Sequence, residues 1–206
     1  MNSYIIVGTD TNVGKTVFSA ALVGALGCAY WKPVQAGLEG ETDSQIVARL
    51  SGVSPNLIMP EAYRLHQPVS PHLAACADGI EIDVKNLRPP SEITNTIIEL
   101  AGGVMVPWTD RALSIDIIAQ WRLPVILVAR TALGTINHSL LTLEALKSRN
   151  ILIHGVAFVG TEATGAQHAV ASFGKIRVLG RLPWLNMLTR ESLQAAFLEH
   201  FNQKDF

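Results

Sequence analysis

Charge is scarce in this chain. Of 206 residues, 16% are Asp, Glu, Lys or Arg, and they nearly cancel to a net charge of −1. No basic surface argues for nucleic acid, and no acidic run argues for a disordered tail. Cysteine is scarcer still. Cys28 and Cys76 stand in apolar surroundings without CxxC spacing, which reads as small residues in a reducing compartment. The histidines form no HExxH or Cys/His cluster, so no structural zinc site is expected. Repeats, linkers and low-complexity segments are absent. The apolar run VFSAALVGALGCAYW, Val17 to Trp31, is too short and glycine-broken to span a bilayer, and it follows Asp10 rather than a basic leader. The expectation is one domain over residues 1–206, cytoplasmic, with no nucleic acid and no membrane as partner.

Apolar residues are plentiful, at 49%. That excess over charge suits a parallel sheet whose strands are buried on both faces. Strand-like runs (SYIIVG, AYWKPV, NTIIELAGG, LPVILVA, IHGVAFV, RVLGRLP) alternate with helical stretches (Lys15 to about Leu26, DSQIVARLSG, PHLAACADG, NHSLLTLEALKSRN, RESLQAAFLEHF). This alternation predicts an α/β fold, a parallel β-sheet covered by helices on both faces with right-handed crossovers. Pro33 closes the second strand, and RPPSE around Pro89 and Pro90 interrupts any helix there.

The first strand runs into GTDTNVGKT, Gly8 to Thr16, and a helix follows. A phosphate-binding loop has four residues between a glycine and Gly-Lys-Ser/Thr, whereas here Thr9 stands where that glycine would fall. The strand–loop–helix context still predicts a nucleotide loop. Consecutive N–H groups and the helix N-terminus would bind phosphate, Lys15 would reach the β- and γ-phosphates, and the Thr16 hydroxyl would ligate magnesium.

Phosphoryl transfer also needs carboxylates near the ion. Glu99 is expected at the end of a buried strand, a poor place for a carboxylate without a cation. Asp43, just before a helix, has two readings, a helix cap or a second ligand. Lys32 ends an otherwise apolar strand beside Pro33 and is aimed into an anionic site on this reading, where its charge would stabilise a transferring phosphoryl group.

At this point the chain resembles the dethiobiotin synthetase family of phosphate-loop ATPases. The resemblance is carried, in order, by GTDTNVGKT, WKPVQAG, TDSQIVARL, QPVSPHLAA, ELAGG, LPVILVA, LGTINHSLLTLEAL and GRLPWL. The longer loop is a trait of that family. It implies a homodimeric ligase that builds the ureido ring of dethiobiotin from 7,8-diaminopelargonate, CO2 and ATP. A carbamate forms, ATP phosphorylates it to a carbamic-phosphoric anhydride, and the second amine displaces phosphate. By the same resemblance Asn12, Val13, Gly14, Lys15, Thr16, Val17 and Gly102 would surround the nucleotide, and Thr16, Asp43 and Glu99 would hold Mg2+. Lys15 and Lys32 would be the catalytic lysines, and Thr11, Lys32 and Ala36 would face the diamine. Gly134, Thr135 and Asn137 would bind the substrate carboxylate across the subunit interface. Val159, Gly160, Pro183, Trp184 and Leu185 would border the base.

Three positions depart from the family pattern. Leu100 replaces the first glycine of Glu-Gly-Ala-Gly-Gly, Ala36 replaces a hydroxyl residue, and Val159–Gly160 stand where an asparagine reads adenine. Looser nucleotide selection is therefore expected. Two alternatives remain: a related amidoligase, for which the chain has no glutaminase domain, and a regulatory ATPase switch, which would carry a second lysine where this loop has Thr9-Asp10-Thr11. No Asn-Lys-x-Asp element supports a GTPase.

Overall fold

The structure, a computed structural model, describes residues 3–90 and 95–206. The chain begins β1 (Tyr4–Gly8), α1 (Lys15–Leu26), β2 (Ala29–Trp31), β3 (Val34–Ala36) and α2 (Asp43–Ser51). It continues with β4 (Ile58–Met59), β5 (Tyr63–Leu65), α3 (Pro71–Asp78), β6 (Thr96–Gly103), β7 (Pro107–Thr109) and β8 (Ala112–Leu113). The remainder is α4 (Ser114–Trp121), β9 (Val125–Arg130), α5 (Thr135–Lys147), β10 (Ile153–Val159), α6 (Thr164–Gly174), β11 (Val178–Leu182) and α7 (Arg190–His200).

Seven strands form one sheet in the order β11-β10-β9-β1-β6-β2-β4. Every pairing in it is parallel. Successive residues of a strand point to opposite faces, and the core divides accordingly. Ile5, Val7, Ile98, Leu127 and Phe158 pack under α3, α4, α5 and α6, whereas Tyr4, Ile6, Tyr30, Ile97 and Val128 pack under α1, α2 and α7. The predicted α/β fold with helices on both faces is what forms.

Some elements were illegible in the sequence. Neither α4 nor α6 was predicted from the sequence, and the short pairs β3–β5 and β7–β8 lie outside the main sheet. The predicted strand AYWKPV is two strands, because Lys32 and Pro33 leave the ladder between them. Pro89 and Pro90 lie in irregular chain as expected, while Ser91 and Glu92 fall outside the described residues. No described helix is long and apolar enough to cross a membrane.

β1 is central, flanked by β6 and β9. Its carboxyl end therefore opens where connections leave in both directions, the position at which open α/β sheets bind ligands. Behind the loop, α1 is held through Phe18, which lies 6.5 Å from Phe197 of α7 and 5.6 Å from Phe201 just beyond it, ring centre to ring centre.

Candidate active site

The loop between β1 and α1 owes its shape to two glycines. A Cβ on Gly8 would sit 2.7 Å from the Asp10 carbonyl oxygen and 2.9 Å from Lys15 Nζ, so only glycine lets the loop fold back over the strand end. Gly14 has φ 96°, and a Cβ there would meet the Val159 side chain at 2.7 Å. With Gly14 as its N-cap, α1 has no side-chain cap and no acidic residue in its first turn. Its first N–H groups are left for an anion.

Lys15 is buried beneath this loop, and its Nζ donates to the Asp10 carbonyl at 3.0 Å. Burial pushes its pKa down to about 8, against the pull of Glu99; the nearby charge of Lys32 lowers it further. Thr16 begins the next link. Its hydroxyl donates to Glu99 Oε1 at 2.8 Å.

Glu99 lies in mid-strand rather than at the strand end expected from the sequence, since β6 runs on to Gly103. It faces the α1 side and is 1% exposed. Tyr30 donates its phenol proton to Oε2 at 3.0 Å, and Lys32 Nζ lies 3.3 Å from Oε1. Lys32 also pairs with Asp43 Oδ2 at 2.6 Å. Burial alone would lower the Lys32 pKa, but Glu99 and Asp43 outweigh it and hold the ammonium above its ordinary value. The same pair acts on Asp43: burial raises its pKa, Lys32 outweighs this, and the carboxyl lies below its usual range.

Asp43 is not the helix cap. Thr42 caps α2 in a reciprocal capping box with Gln45, which leaves the Asp43 side chain, on the first helical residue, free for Lys32. The buried Gln35 secures this turn: its Oε1 accepts from Asp43 N at 3.2 Å, and its Nε2 donates to the carbonyls of Ala36 and Gly37. Neither Gln35 nor Tyr30 was identified from the sequence. Their signal lay in the alternation of strand residues, which puts Tyr30 on the Glu99 face.

The other candidates surround this cluster at varying distance. Thr11 and Asn12 are exposed on the loop, Asn12 with a left-handed φ of 57°. Gly102 lies against Thr11, whose Oγ1 would be 3.7 Å from a Cβ built there. Val13 is buried, Val17 and Ala36 half-buried. At the base end the Val159 side chain is buried against Gly14. Gly160 has both backbone groups taken, its N–H by the Leu182 carbonyl and its carbonyl by Arg181, each at 2.9 Å. Pro183 and Leu185 are half-buried and Trp184 is exposed. Gly134 caps α5 with φ 91°, again with no side-chain cap and no acidic residue in the first turn. Thr135 is buried, its hydroxyl donating to the Arg130 carbonyl, and Asn137 is exposed. Among the described residues, no hydrogen bond or ion pair joins Gly134, Thr135 or Asn137 to the Lys32 cluster.

A central parallel sheet, a glycine loop opening an uncapped helix, and a buried lysine under that loop define a phosphate-loop nucleotide-binding protein. Residues 2–192 match the AAA-domain family. The cell division ATPase MinD of Pyrococcus furiosus superposes with a TM-score of 0.55 at 11% identity, over 97% of this chain and 98% of that one. A ParA-family ATPase from Chlorobium tepidum gives 0.52 at 10% identity, over 96% and 91%. At such identities the likeness is one of fold alone.

Sequence similarity is much closer elsewhere. The chain is 56% identical to the ATP-dependent dethiobiotin synthetase BioD of Bradyrhizobium diazoefficiens, over all of this chain and 99% of that protein. It is also 56% identical to the enzyme of the same name from Agrobacterium fabrum, over 98% and 96%. The chain belongs to the ATP-dependent dethiobiotin synthetase family.

Proposed function

We propose that this protein is a magnesium- and ATP-dependent ligase of biotin biosynthesis that closes the ureido ring of dethiobiotin. Its substrates on this reading are 7,8-diaminopelargonate, CO2 and ATP. The observation that carries the reading is the cluster at the open end of β1 in which buried Lys15, Lys32 and Glu99 meet half-buried Thr16 and Asp43.

The chemistry proceeds in three steps. One amine of the diamine adds to CO2 and loses a proton, giving a carbamate. A carbamate oxygen then attacks the γ-phosphorus, and ADP leaves. Finally the second amine attacks the carbonyl carbon, the C–O bond to phosphate breaks, and a proton is lost as the ring closes. Lys32 meets the first two steps with a permanent positive charge, suited to a carbamate oxygen and then to the transferring phosphoryl group. Lys15, released from the Asp10 carbonyl, neutralises phosphate oxygens together with the free N–H groups of α1. The loop covers intermediates that hydrolyse in water.

Thr16, Asp43 and Glu99 would hold magnesium. Two carboxylates and a hydroxyl are an all-oxygen set, and magnesium takes one or two carboxylates plus phosphate oxygens and waters. Bound there, the ion spreads charge on the β- and γ-phosphates. Among the described residues no group of three or more His, Cys, Asp or Glu forms a cage of its own, which suits an ion that arrives with its nucleotide.

A homodimer completes the site on this reading. The uncapped start of α5 is a second anion-receiving helix end, and exposed Leu133, Ile136 and Leu141 lie beside it. A second copy covering those apolar side chains would bring Gly134, Thr135 and Asn137 to the partner's diamine. The protein so assembled is one domain per chain and works in the cytoplasm. Measuring ADP release against diamine and bicarbonate separately tests the assignment: release requires both, and release indifferent to the diamine overturns it.

A further inference from the structure

Tyr30 is fully buried in the middle of β2, and none of the steps above uses it. β2 pairs with β6 in the register Tyr30↔Ile97 and Trp31↔Ile98. Period two then puts Tyr30, Ile97 and Glu99 on one face of the sheet, with Tyr30 and Glu99 diagonal neighbours. Phenylalanine would fill this position, in the core cluster that also holds Ile97, Phe18 and Leu22, as well as tyrosine does. The hydroxyl therefore needs its own explanation.

That hydroxyl has a specific target. It donates to Glu99 Oε2 at 3.0 Å, while Oε1 takes Thr16 at 2.8 Å and Lys32 at 3.3 Å. The two carboxylate oxygens are thus divided, one held by the core and one presented to the loop and the catalytic lysine. The final torsion of a glutamate side chain is broad, so its own rotamer preference does not fix the carboxylate plane. A buried donor on Oε2 does.

We infer that Tyr30 is a positioning residue, whose phenol sets the plane of Glu99 so that Oε1 faces the nucleotide-bound magnesium. The inference rests on the reading that Glu99 serves that ion. Outer-sphere partners of metal ligands typically govern about 10–100-fold in metal affinity.

The test is a manganese titration followed by electron paramagnetic resonance, on protein saturated with a non-hydrolysable ATP analogue. Four forms are compared: the parent, Tyr30→Phe, Glu99→Gln and the double variant. Tyr30→Phe is expected to weaken manganese binding about tenfold or more, and to add nothing further in the Glu99→Gln background. If Glu99→Gln weakens binding but Tyr30→Phe leaves it at the parent value, the inference falls and the metal reading of Glu99 survives. An equal loss from Tyr30→Phe in both backgrounds also overturns it, since Tyr30 then acts on the site without Glu99. If Glu99→Gln itself changes nothing, the metal reading of Glu99 falls first. Should the phenylalanine variant not fold, fluorotyrosine-labelled parent protein decides the matter. The chain has three tyrosines, and variants at Tyr4 and Tyr63 assign the signal of Tyr30. That fluorine resonance should move when magnesium is added to analogue-saturated protein, and its failure to move contradicts the inference.

Discussion

The Lys32 ammonium lies 2.6 Å from the Asp43 carboxylate, which joins the end of β2 to the first turn of α2. With Glu99 on its other side, Lys32 is the only positive charge directly bonded to both carboxylates of the proposed metal site among the described residues. On the proposed reading it would therefore serve the fold as well as the reaction. Lys32→Ala should reduce turnover at saturating ATP far more than it reduces nucleotide affinity. Breaking a buried pair by removing one partner also destabilises by about 3–5 kcal/mol, so the melting temperature should fall. Binding and turnover measured separately, below the new melting transition, check this. Loss of binding with turnover preserved at saturation would make Lys32 a nucleotide anchor only.

Lys15 should make nucleotide binding pH-dependent. In the free site its pKa is about 8, and a triphosphate binds the protonated form and raises that value. Affinity is therefore full below pH 8 and falls as pH rises through it, by about tenfold per unit until the bound-state pKa is reached. Calorimetric titration of an ATP analogue between pH 7 and 10 should show this slope together with proton uptake. Lys15→Ala should abolish the slope and lower turnover about 10²–10³-fold; an unchanged pH profile in that variant would assign the effect elsewhere.

Base selection should be loose. Val159 packs against Gly14, and Gly160 has both backbone groups paired, so neither can read an adenine edge without losing a bond. A neutral hydrogen bond contributes about 0.5–1.5 kcal/mol net, and discrimination of that order is what its absence removes. Competition among ATP, CTP and GTP measures it. Strong ATP preference would mean that groups around Pro183 and Trp184 read the base.

The phosphate half of this site was legible because its chemistry is local: Gly8, Gly14, Lys15 and Thr16 are consecutive or nearly so, and the strand before them and helix after them announce themselves. The carboxylates were legible in identity but not in setting. Glu99 was expected at a strand end, before the glycines of LAGG, yet it sits in mid-strand where Tyr30, Thr16 and Lys32 compensate it. Asp43 could not be separated from a helix cap until Thr42 and Gln45 were seen to form the cap themselves. Tyr30 and Gln35 act through strand register and a turn, which only long-range pairing reveals. The helices α4 and α6 were missed: the eight residues of α4 directly follow a hairpin, and α6 begins and ends in glycine-bearing turns with histidine and glutamine in its first half.

Assembly can be tested by complementation. Lys15→Ala disables the phosphate half of a site, and Gly134→Trp should disable the α5 half, since φ 91° at Gly134 disfavours any side chain. Mixed under conditions of proven subunit exchange, the two inactive variants should recover part of the activity, because a two-fold heterodimer holds one intact composite site. No recovery would place the whole site within one chain.

The most direct measurement follows oxygen. Protein, magnesium and ATP are mixed rapidly with the diamine and ¹⁸O-labelled bicarbonate in unlabelled water, and phosphate and ring product are analysed by mass spectrometry. Attack of the carbamate oxygen on the γ-phosphorus, followed by displacement at carbon, predicts label both in the released phosphate and in the ureido carbonyl. Phosphate free of label, or released without a ring product, would contradict the account.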